Sequence, residues 1–415
     1  MSQQKTDSEP GINSSLITLF LCGDVMLGRG IDQLLPHPNE PYIHERWIRG
    51  YVRSLKSSRI LLLLLLLRHL LPDRVIYKGY VKSARKFLEL AEKAHGSIQQ
   101  PVDFSYIWGD AFEELQRVAP DLRIINLETS ITKSDDYWKG KGIHYRMHPE
   151  NIPCITAAKI DCCSLANNHV LDWGYSGLLE TLETLDRANV KRAGAGRNAE
   201  EAASPAVMEV AGKGRVIVFS FGLKTSGIPA VWAASQDKVG VNLLKDFSDE
   251  TVHYAKEKIQ KVKQKGDIVV ASIHWGSNWG FKVYPKQRWL AHKLIDEAGV
   301  DVIHGHSSHH VKGVEVYKER PIMYGCGDLI NDYEGISQSY GDFRKDLGLM
   351  YFVSSDPASG KLAHLLMTPT QVKRLKVNRA SRKDALWLKD TLNREGKKLG
   401  TQVELSPDNT LTLVW

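Results

Sequence analysis

Five short unbroken apolar runs recur along the chain, and each is followed at once by a cluster of polar residues. The runs cover residues 16–22, 122–125, 162–166, 268–273 and 300–303. Such runs are typical of strands that are buried on both faces, as in parallel sheets. We therefore expect buried strands with a site at the sheet edge, where open α/β folds bind their ligands.

Between these strands, amphipathic helices alternate with hairpin signals. Helical periodicity covers residues 80–95, 107–118, 174–188, 248–265, 285–298 and 382–397. Turn residues predict hairpins that join 206–210 to 215–221 and 314–317 to 321–324. A last strand is expected over 410–414. Strand–helix alternation that is interrupted by hairpins predicts an α/β fold with mixed sheets.

The polar clusters after the apolar runs are rich in Asp, Glu, Asn and His. Their candidate metal ligands are Asp24, Glu128, Asn168, His274, His306 and His309. Carboxylate oxygens, amide oxygens and imidazoles are donors that divalent metals use in proteins. Taken singly, each residue could be a turn residue, a helix N-cap or a core histidine. Because the pattern repeats at successive strand ends, we interpret it as one metal centre.

Composition agrees with one large domain. The chain has 415 residues, of which 42% are hydrophobic, and this is enough for a sizeable core. Residues 1–15 are polar and lack a signal pattern, which predicts a disordered tail. The five cysteines form no CxxC pair and lie mostly in apolar runs, which is typical of buried thiols in a reducing compartment. We therefore expect a cytoplasmic protein.

Residues 46–79 break this organisation. They carry eight basic residues and one acidic residue, an excess of seven that equals the formal net charge of +7 for the whole chain. The neutral remainder argues against nucleic-acid binding, which needs distributed Lys and Arg. The leucine-rich run at 60–67 is shorter than the roughly 20 residues of a membrane span, so membrane association is not expected. We interpret the segment as a removable insertion; the alternative is a basic helix at a membrane surface.

The order of the clusters resembles a known family. In chain order, the clusters read Asp-x-x, an acidic residue, Asn-His-x-x-Asp, a lone His and Gly-His-x-x-His. The residues that match the family most specifically are 22–29, 125–129, 166–174 and 322–330. This series is similar to the capsule-synthesis family (the CapA or poly-γ-glutamate biosynthesis proteins) within the calcineurin-like metallophosphoesterases. The resemblance implies a four-layer α/β/β/α sandwich over residues 16–370, with residues 371–415 as a C-terminal extension.

The resemblance also implies roles for the metal ligands. Asp24 would bind one metal and Glu128 would be the bridging carboxylate. Asn168 and His274 would bind the second metal, while two of the histidines at positions 304, 306, 309 and 310 would complete the two spheres. His306 and His309 are favoured. The family's Asp-x-His histidine is replaced by Met26, a poor ligand for hard ions, so either one or two ions of Mn, Fe or Zn are expected.

Other residues near the clusters are candidates for catalysis and substrate binding. His169 matches the residue that either assists the leaving group or stabilises the transition-state oxyanion, and Asp172 could orient its ring and raise its pKa. The ordinary alternative is that Asp172 caps the helix that follows. Arg29 and Trp275 are candidate substrate contacts, for which a solvated arginine and a packed tryptophan are the alternatives.

The family likeness leaves two classes of function open. The first is a metal-dependent hydrolase or transferase that acts on a phosphoester or a γ-glutamyl amide, since one metal clamp can polarise either a phosphoryl or a carbonyl oxygen. Its substrate would be an anionic polymer or a phosphoester, and its partners the subunits of a polymer-synthesis system. The second is a non-catalytic scaffold that binds a metal or an anionic polymer.

Overall fold

The computed structural model describes residues 15–44, 83–336 and 343–415. The predicted insertion at 46–79 lies outside these residues, and so does the predicted tail except for Ser15. The described segments on either side of the insertion meet, because Tyr42 and Ser83 form an antiparallel β-bridge.

Helices and strands alternate through most of the described chain. The helices are α1 (Gly30–Leu34), α2 (Arg85–His95), α3 (Ala111–Val118), α4 (Pro153–Ala157), α5 (Gly174–Arg187), α6 (Ala199–Ala203), α7 (Asp249–Gln260), α8 (Pro285–Lys293) and α9 (Arg382–Gly396). The strands up to the second hairpin are β1 (Ile17–Val25), β2 (Leu122–Leu127), β3 (Ser130–Ile131), β4 (Arg146–Met147), β5 (Cys162–Ser164), β6 (Lys191–Ala193), β7 (Ala195–Gly196), β8 (Ala206–Val210), β9 (Gly214–Leu223), β10 (Gly240–Val241), β11 (Leu243–Leu244), β12 (Ile268–His274), β13 (Val302–His306), β14 (Val314–Tyr317) and β15 (Arg320–Met323). The later strands are β16 (Asp328–Ile330), β17 (Leu347–Asp356), β18 (Lys361–Lys373), β19 (Lys376–Arg379), β20 (Gln402–Leu405) and β21 (Leu411–Val414).

The helices and hairpins predicted from periodicity are present, with ends that differ by a few residues. Both predicted hairpins form, because β8 pairs with β9 and β14 pairs with β15 in antiparallel registers. Within the predicted helix at 285–298, the α-helix α8 ends at Lys293 and a π-helical turn follows over Leu294–Ala298. The long strand β18 was not predicted, and Pro369 inside it lacks the N–H group that strand pairing uses.

Two mixed sheets organise the molecule. The first sheet has the order β20-β21-β18-β17-β1-β2-β5-β6, with β16 beside β1 and β19 beside β18. Its strands β1, β2, β5 and β6 run parallel, while β17 runs antiparallel to β1. The second sheet has the order β11-β9-β12-β13-β15-β14, with β8 beside β9. Its central strands β9, β12, β13 and β15 are also parallel.

Alternate residues of a central strand face two different cores. In β1, Ile17, Leu19 and Leu21 belong to an inner core that lies between the two sheets. Phe20 and Cys22 belong instead to a first outer core, which α2, α3 and α5 cover. This division follows from the period of two along a strand. It explains why a strand that is buried on both faces has an unbroken apolar sequence.

The second sheet divides its residues in the same way. In β12, Ile268 and Val270 join the inner core, while Val269 and Ala271 join a second outer core that α7 and α8 cover. Helices, sheet, sheet and helices therefore form four layers. The predicted four-layer α/β/β/α sandwich is confirmed.

Residues 371–415 are continuous with this sandwich. They contain the end of β18 and the strands β19, β20 and β21, all of which belong to the first sheet. Leu388 and Leu392 of α9 are part of the inner core. None of the helices in the described ranges combines the length and the apolar composition that a bilayer crossing needs.

Candidate metal centre

The first sheet brings oxygen donors to one point. Asp24 lies near the end of β1, Glu128 directly follows β2, and Asn168 lies in the loop after β5. In the parallel registers of the sheet, Asp24 is paired with Asn126 of β2 on one side and with Asp328 of β16 on the other. The strand order therefore places Asp24 between its polar neighbours.

A glycine before Asp24 allows the close packing of this region. A Cβ atom added at Gly23 would lie 1.7 Å from the carbonyl oxygen of Gly327. The backbone N–H of Asp24 donates to that same oxygen over 2.8 Å. Only a residue without a side chain can bring the two backbones so close, so Gly23 is needed to hold Asp24 in place.

The second sheet brings imidazoles to the same end of the sandwich. His274 is the last residue of β12 and His306 the last residue of β13, and the two are paired in the parallel register. Their Nδ1 atoms lie 2.8 Å apart. His309 follows three residues after His306, and its Nδ1 lies 2.9 Å from Asp328 Oδ1.

The donors of the two sheets meet at His274. Its Nε2 lies 2.9 Å from Asn168 Oδ1 and 3.6 Å from Glu128 Oε1. Among the described residues, two sets of possible ligand atoms lie within 4.8 Å of one another: Asp24 with His274 and His306, and Asp24 with Glu128 and His309. Asp24 is common to both sets and is therefore the carboxylate placed to bridge two metal ions. The family resemblance gave that bridging role to Glu128.

Two buried carboxylate oxygens in this centre accept no hydrogen bond from any described residue. They are Asp24 Oδ2 and Glu128 Oε2, whereas Asp24 Oδ1 accepts from Asn126 Nδ2 over 2.7 Å. Burial, and then the neighbouring Asp328, raise the pKa of Asp24 to about 7. Burial and the charge of Asp24 raise the pKa of Glu128 well above its usual range. Buried carboxylates need a proton or a cation as partner, so this donor set fits a divalent metal.

Two of the three candidate histidine ligands, His274 and His306, are suited to bind a metal in the neutral form. Burial lowers the pKa of His274 and of His306 well below the usual value. For His309, burial acts in the same direction, but the Asp328 carboxylate outweighs it and raises the pKa. A metal binds the unprotonated nitrogen of an imidazole, and an imidazole that contacts a carboxylate is a common arrangement at such sites.

His169 and Asp172 form a pair beside the metal ligands. His169 Nδ1 lies 2.6 Å from Asp172 Oδ2, and His169 Nε2 lies 3.9 Å from Glu128 Oε1. Asp172 orients the ring and does not cap the following helix, whose N-cap is Trp173 without a side-chain hydrogen bond. The prediction that Asp172 raises the pKa of His169 is wrong: burial, followed by the ammonium group of Lys141, lowers that pKa well below its usual value.

His304 connects the two sheets. Its Nε2 lies 2.6 Å from the carbonyl oxygen of Cys22 in β1, and its Nδ1 lies 3.1 Å from Ser272 Oγ in β12. Both ring nitrogens therefore have partners inside the protein. All five cysteines, including Cys22, are buried free thiols.

His310 is also held by the protein itself. Its Nδ1 lies 3.0 Å from the carbonyl oxygen of Val311, and the backbone N–H of Gly280 donates to its Nε2 over 3.1 Å. Of the four histidines at positions 304 to 310, His306 and His309 are the two that enter the candidate ligand sets.

Arg29 is buried, contrary to the alternative of a solvated side chain. Its Nε and Nη2 donate to Asp332 over 3.1 and 2.5 Å, and its guanidinium lies over the rings of Phe87 and Tyr145 at 3.9 and 4.7 Å. A substrate contact by Arg29 stays a prediction.

Trp275 lies in the second outer core. Its side chain is buried and its Nε1 donates to the carbonyl oxygen of Tyr324 over 3.0 Å. This contact agrees with the alternative that Trp275 is a packed core residue. A substrate contact by Trp275 stays a prediction.

Four residues near the centre were not assigned roles from the sequence: Lys141, Tyr145, Asp328 and Tyr333. The ring of Tyr145 packs on His169 with centroids 4.3 Å apart, and its hydroxyl lies 3.2 Å from that of Tyr333. Lys141 and the tyrosines lie in irregular segments without periodicity. Asp328 did carry a signal, because it follows a glycine as Asp24 does, a few residues after the predicted strand at 321–324.

The fold and the donor set together define an α/β/β/α protein with a candidate metal centre at one end of its sheets. A family model described as bacterial capsule synthesis protein PGA_cap matches residues 18–333, which is more than half of the chain. The protein therefore belongs to the capsule-synthesis family, and the resemblance found in the sequence is confirmed.

Curated relatives agree with this family. Proteins from two strains of Mycobacterium tuberculosis, each named a probable polyglutamine synthesis accessory protein, are 41% identical over 403 residues, or 97% of both chains. The capsule biosynthesis protein CapA of Bacillus anthracis is 29% identical over 192 residues, which cover 46% of this chain and 45% of CapA. A solved structure titled as a novel phosphatase of Mycoplasma pneumoniae aligns with a TM-score of 0.41 at 12% identity, over 90% of this chain and 96% of that one.

Proposed function

We propose that the protein is a metal-dependent hydrolase or transferase of the capsule-synthesis type. It acts on a phosphoester or on a γ-glutamyl amide, and its substrate is an anionic polymer or a phosphoester. Its partners are the subunits of a polymer-synthesis system, and it does not bind nucleic acid.

The observation that carries the proposal is that Asp24 Oδ2 and Glu128 Oε2 have no hydrogen-bond partner within the described part of the chain. Two buried acceptors left without donors are costly, by about 1–3 kcal/mol each and more for charged groups. Their position beside neutral imidazoles offers both oxygen and nitrogen ligands to a cation. The residues that would hold it are Asp24, Glu128, Asn168, His274, His306 and His309. A divalent metal held there would supply a Lewis acid for a phosphoryl or carbonyl oxygen.

His169 is the proposed catalytic group of the chain itself. Its Nε2 points toward Glu128, while Asp172 holds its Nδ1. Because burial and Lys141 lower its pKa, the ring is neutral near pH 7. With Nδ1–H donated to Asp172, the neutral ring has an unprotonated Nε2, which can accept a proton from the attacking group. Once protonated, the same Nε2 can donate to the leaving group, and this sequence suits the cleavage of either bond.

A scaffold function is the second candidate, and one observation favours it. The Mycobacterium tuberculosis relatives are named as accessory proteins of polyglutamine synthesis. In this alternative, the centre holds a structural metal or an anionic polymer, and His169 has no substrate to act on. The two candidates differ in turnover, and they agree in metal binding only if the scaffold holds a structural metal.

The test combines metal analysis with a substrate screen. The purified full chain is loaded with Mn²⁺, Fe²⁺ or Zn²⁺, its metal content is measured, and it is assayed on phosphodiesters and γ-glutamyl peptides. Metal binding with turnover that His169→Ala abolishes supports the hydrolase. Metal binding without turnover on any probe supports a scaffold with a structural metal. Failure to bind any of the three metals contradicts the hydrolase and leaves the scaffold that binds an anionic polymer.

A further inference from the structure

Lys141 lies beside the His169–Asp172 pair, in the loop between β3 and β4. Its side chain is 15% exposed, and its Nζ donates to Asp172 Oδ1 over 2.5 Å. The same nitrogen donates to the carbonyl oxygen of Ile143 over 3.2 Å and lies 3.0 Å from His169 Nδ1. One ammonium group therefore touches both members of the pair.

Asp172 depends on this ammonium group. Its carboxylate is fully buried, and its Oδ2 accepts from the backbone N–H of Tyr145 over 2.7 Å in addition to its contact with His169. Lys141 is the cation that compensates the charge on Oδ1. A buried carboxylate that loses its cationic partner is strongly destabilised and tends to take up a proton or to move. Either change would alter the contact that Asp172 makes with His169.

The orientation of His169 depends in turn on Asp172. With Nδ1 held by Asp172, the ring directs Nε2 toward the candidate ligands, 3.9 Å from Glu128 Oε1. The ring also packs against Tyr145, whose backbone N–H binds the same carboxylate. Lys141, Asp172 and His169 therefore form a chain of contacts that ends at the atom facing the metal centre.

We propose that Lys141 is a positioning residue, which clamps Asp172 and so holds His169 with Nε2 directed into the metal centre. This inference rests on the proposed function, because it assumes that His169 acts on a substrate. Lys141 itself does not touch the reacting atoms. A purely structural lysine would support the loop only, and its loss would change stability without a specific effect on His169.

The kinetic test compares Lys141→Met with Lys139→Met in the metal-loaded full chain. Lys139 is a matched control, because it is an exposed lysine in the same loop. On whichever phosphodiester or γ-glutamyl probe the wild type cleaves, Lys141→Met should lower kcat about 10-fold or more, as loss of an orienting partner does. KM and bound metal should stay near the control values, whereas the midpoint of thermal unfolding should fall because Asp172 loses its cationic partner. An unchanged kcat overturns the inference and leaves the proposed function intact.

A double variant tests whether Lys141 acts through His169. Residues that act as one unit have non-additive effects on rate. In a His169→Ala background, Lys141→Met should therefore cause no further loss of kcat. A second loss as large as the first would show that Lys141 acts independently and would overturn the inference.

A spectroscopic readout separates this inference from the proposed function. The imidazole ¹⁵N and ¹H signals of His169, assigned by their loss in His169→Ala, report its tautomer and its partners without any substrate. They should shift in Lys141→Met and stay in place in Lys139→Met. Unchanged signals overturn the inference even if the wild type cleaves no probe. If Lys141→Met does not fold, Lys141→Arg, which keeps the charge but alters the length, replaces it in each comparison.

Discussion

The two sheets contribute different chemistry to the same end of the sandwich. The first sheet and its loops supply oxygen donors, namely Asp24, Glu128 and Asn168. The second sheet supplies the imidazoles of His274 and His306, with His309 in the loop beyond. Neither sheet alone contains either candidate ligand set, since each set combines residues from both. Both ligand sets therefore form only when the inner core packs the two sheets against each other.

The two contributions also differ in what they need from a ligand. Asp24 and Glu128 each have a buried oxygen that no described residue contacts by a hydrogen bond, and burial raises the pKa values of both carboxyl groups. The imidazoles of His274 and His306 already contact each other, and burial lowers their pKa values. A cation would relieve the oxygen side and take up the lone pairs of the nitrogen side. The comparison predicts that removing an oxygen ligand and removing a nitrogen ligand have unequal effects.

The largest effect is expected for Asp24→Ala. Asp24 belongs to both ligand sets, so its loss should remove all bound metal, whereas His306→Ala should remove the metal of one set and retain that of the other. Elemental analysis of the purified, metal-loaded variants gives the number of ions per chain.

His253→Ala is the matched control for that experiment, because His253 is an exposed histidine on α7. It should keep the wild-type metal content. Equal metal loss in Asp24→Ala and His306→Ala would contradict the shared role of Asp24, and full retention in both would refute the ligand assignment.

His169→Ala should separate binding from chemistry. His169 is in neither candidate ligand set, so metal content should stay at the wild-type value. Turnover should fall by about 10²–10⁴-fold, the usual contribution of a positioned acid or base. Steady-state kinetics on the probe that the wild type cleaves measures the change, and an unaltered kcat would remove His169 from the reaction.

A smaller effect, on stability, is expected for His304→Ala. His304 joins the sheets through Cys22 and Ser272 and is not a candidate ligand. Loss of its ring leaves the buried carbonyl of Cys22 without that partner and should lower the free energy of unfolding by about 1–3 kcal/mol. Denaturant unfolding measures this change, with His253→Ala as the control. Loss of metal at unchanged stability would instead make His304 a ligand.

The smallest effect is expected for deletion of residues 46–79. Tyr42 and Ser83 pair across the junction, and the backbone N–H of Ala84 donates to the carbonyl of Pro41 over 2.8 Å. In the shortened chain, the few residues left between Tyr42 and Ser83 would connect them by a loop of ordinary length. The shortened chain should therefore fold and bind metal as the wild type does. Insoluble protein, or a lower metal content, would count against the segment as a removable insertion.

Much of the fold could be predicted from the sequence because it depends on local periodicity. Apolar runs such as residues 268–273 predict strands buried on both faces, and the inner and outer cores account for both faces of β12. The hairpin at β8 and β9 follows from its glycine-containing turn. β18 could not be predicted in this way, because Pro369 argues against a strand and the pairing with β17, β19 and β21 overrides it.

The site residues could be predicted where a residue type that binds metals directly follows an apolar run. Asp24, His274 and His306 were identified because each follows an apolar run, and the structure brings them together. Lys141 could not be found in this way, because its role depends on a contact with Asp172 across 31 positions of sequence. The pKa of His169 was predicted in the wrong direction for the same reason, since neither its full burial nor the nearby ammonium group is visible in the sequence.

The shared metal centre is tested most directly by anomalous X-ray diffraction from crystals of the Mn²⁺-loaded full chain. We expect manganese peaks between the two sheets, one near Asp24, His274 and His306 and one near Asp24, Glu128 and His309, with Asp24 within ligand distance of both. Absence of manganese from this end of the sandwich, with Asp24 Oδ2 and Glu128 Oε2 bound to other partners, would contradict this expectation.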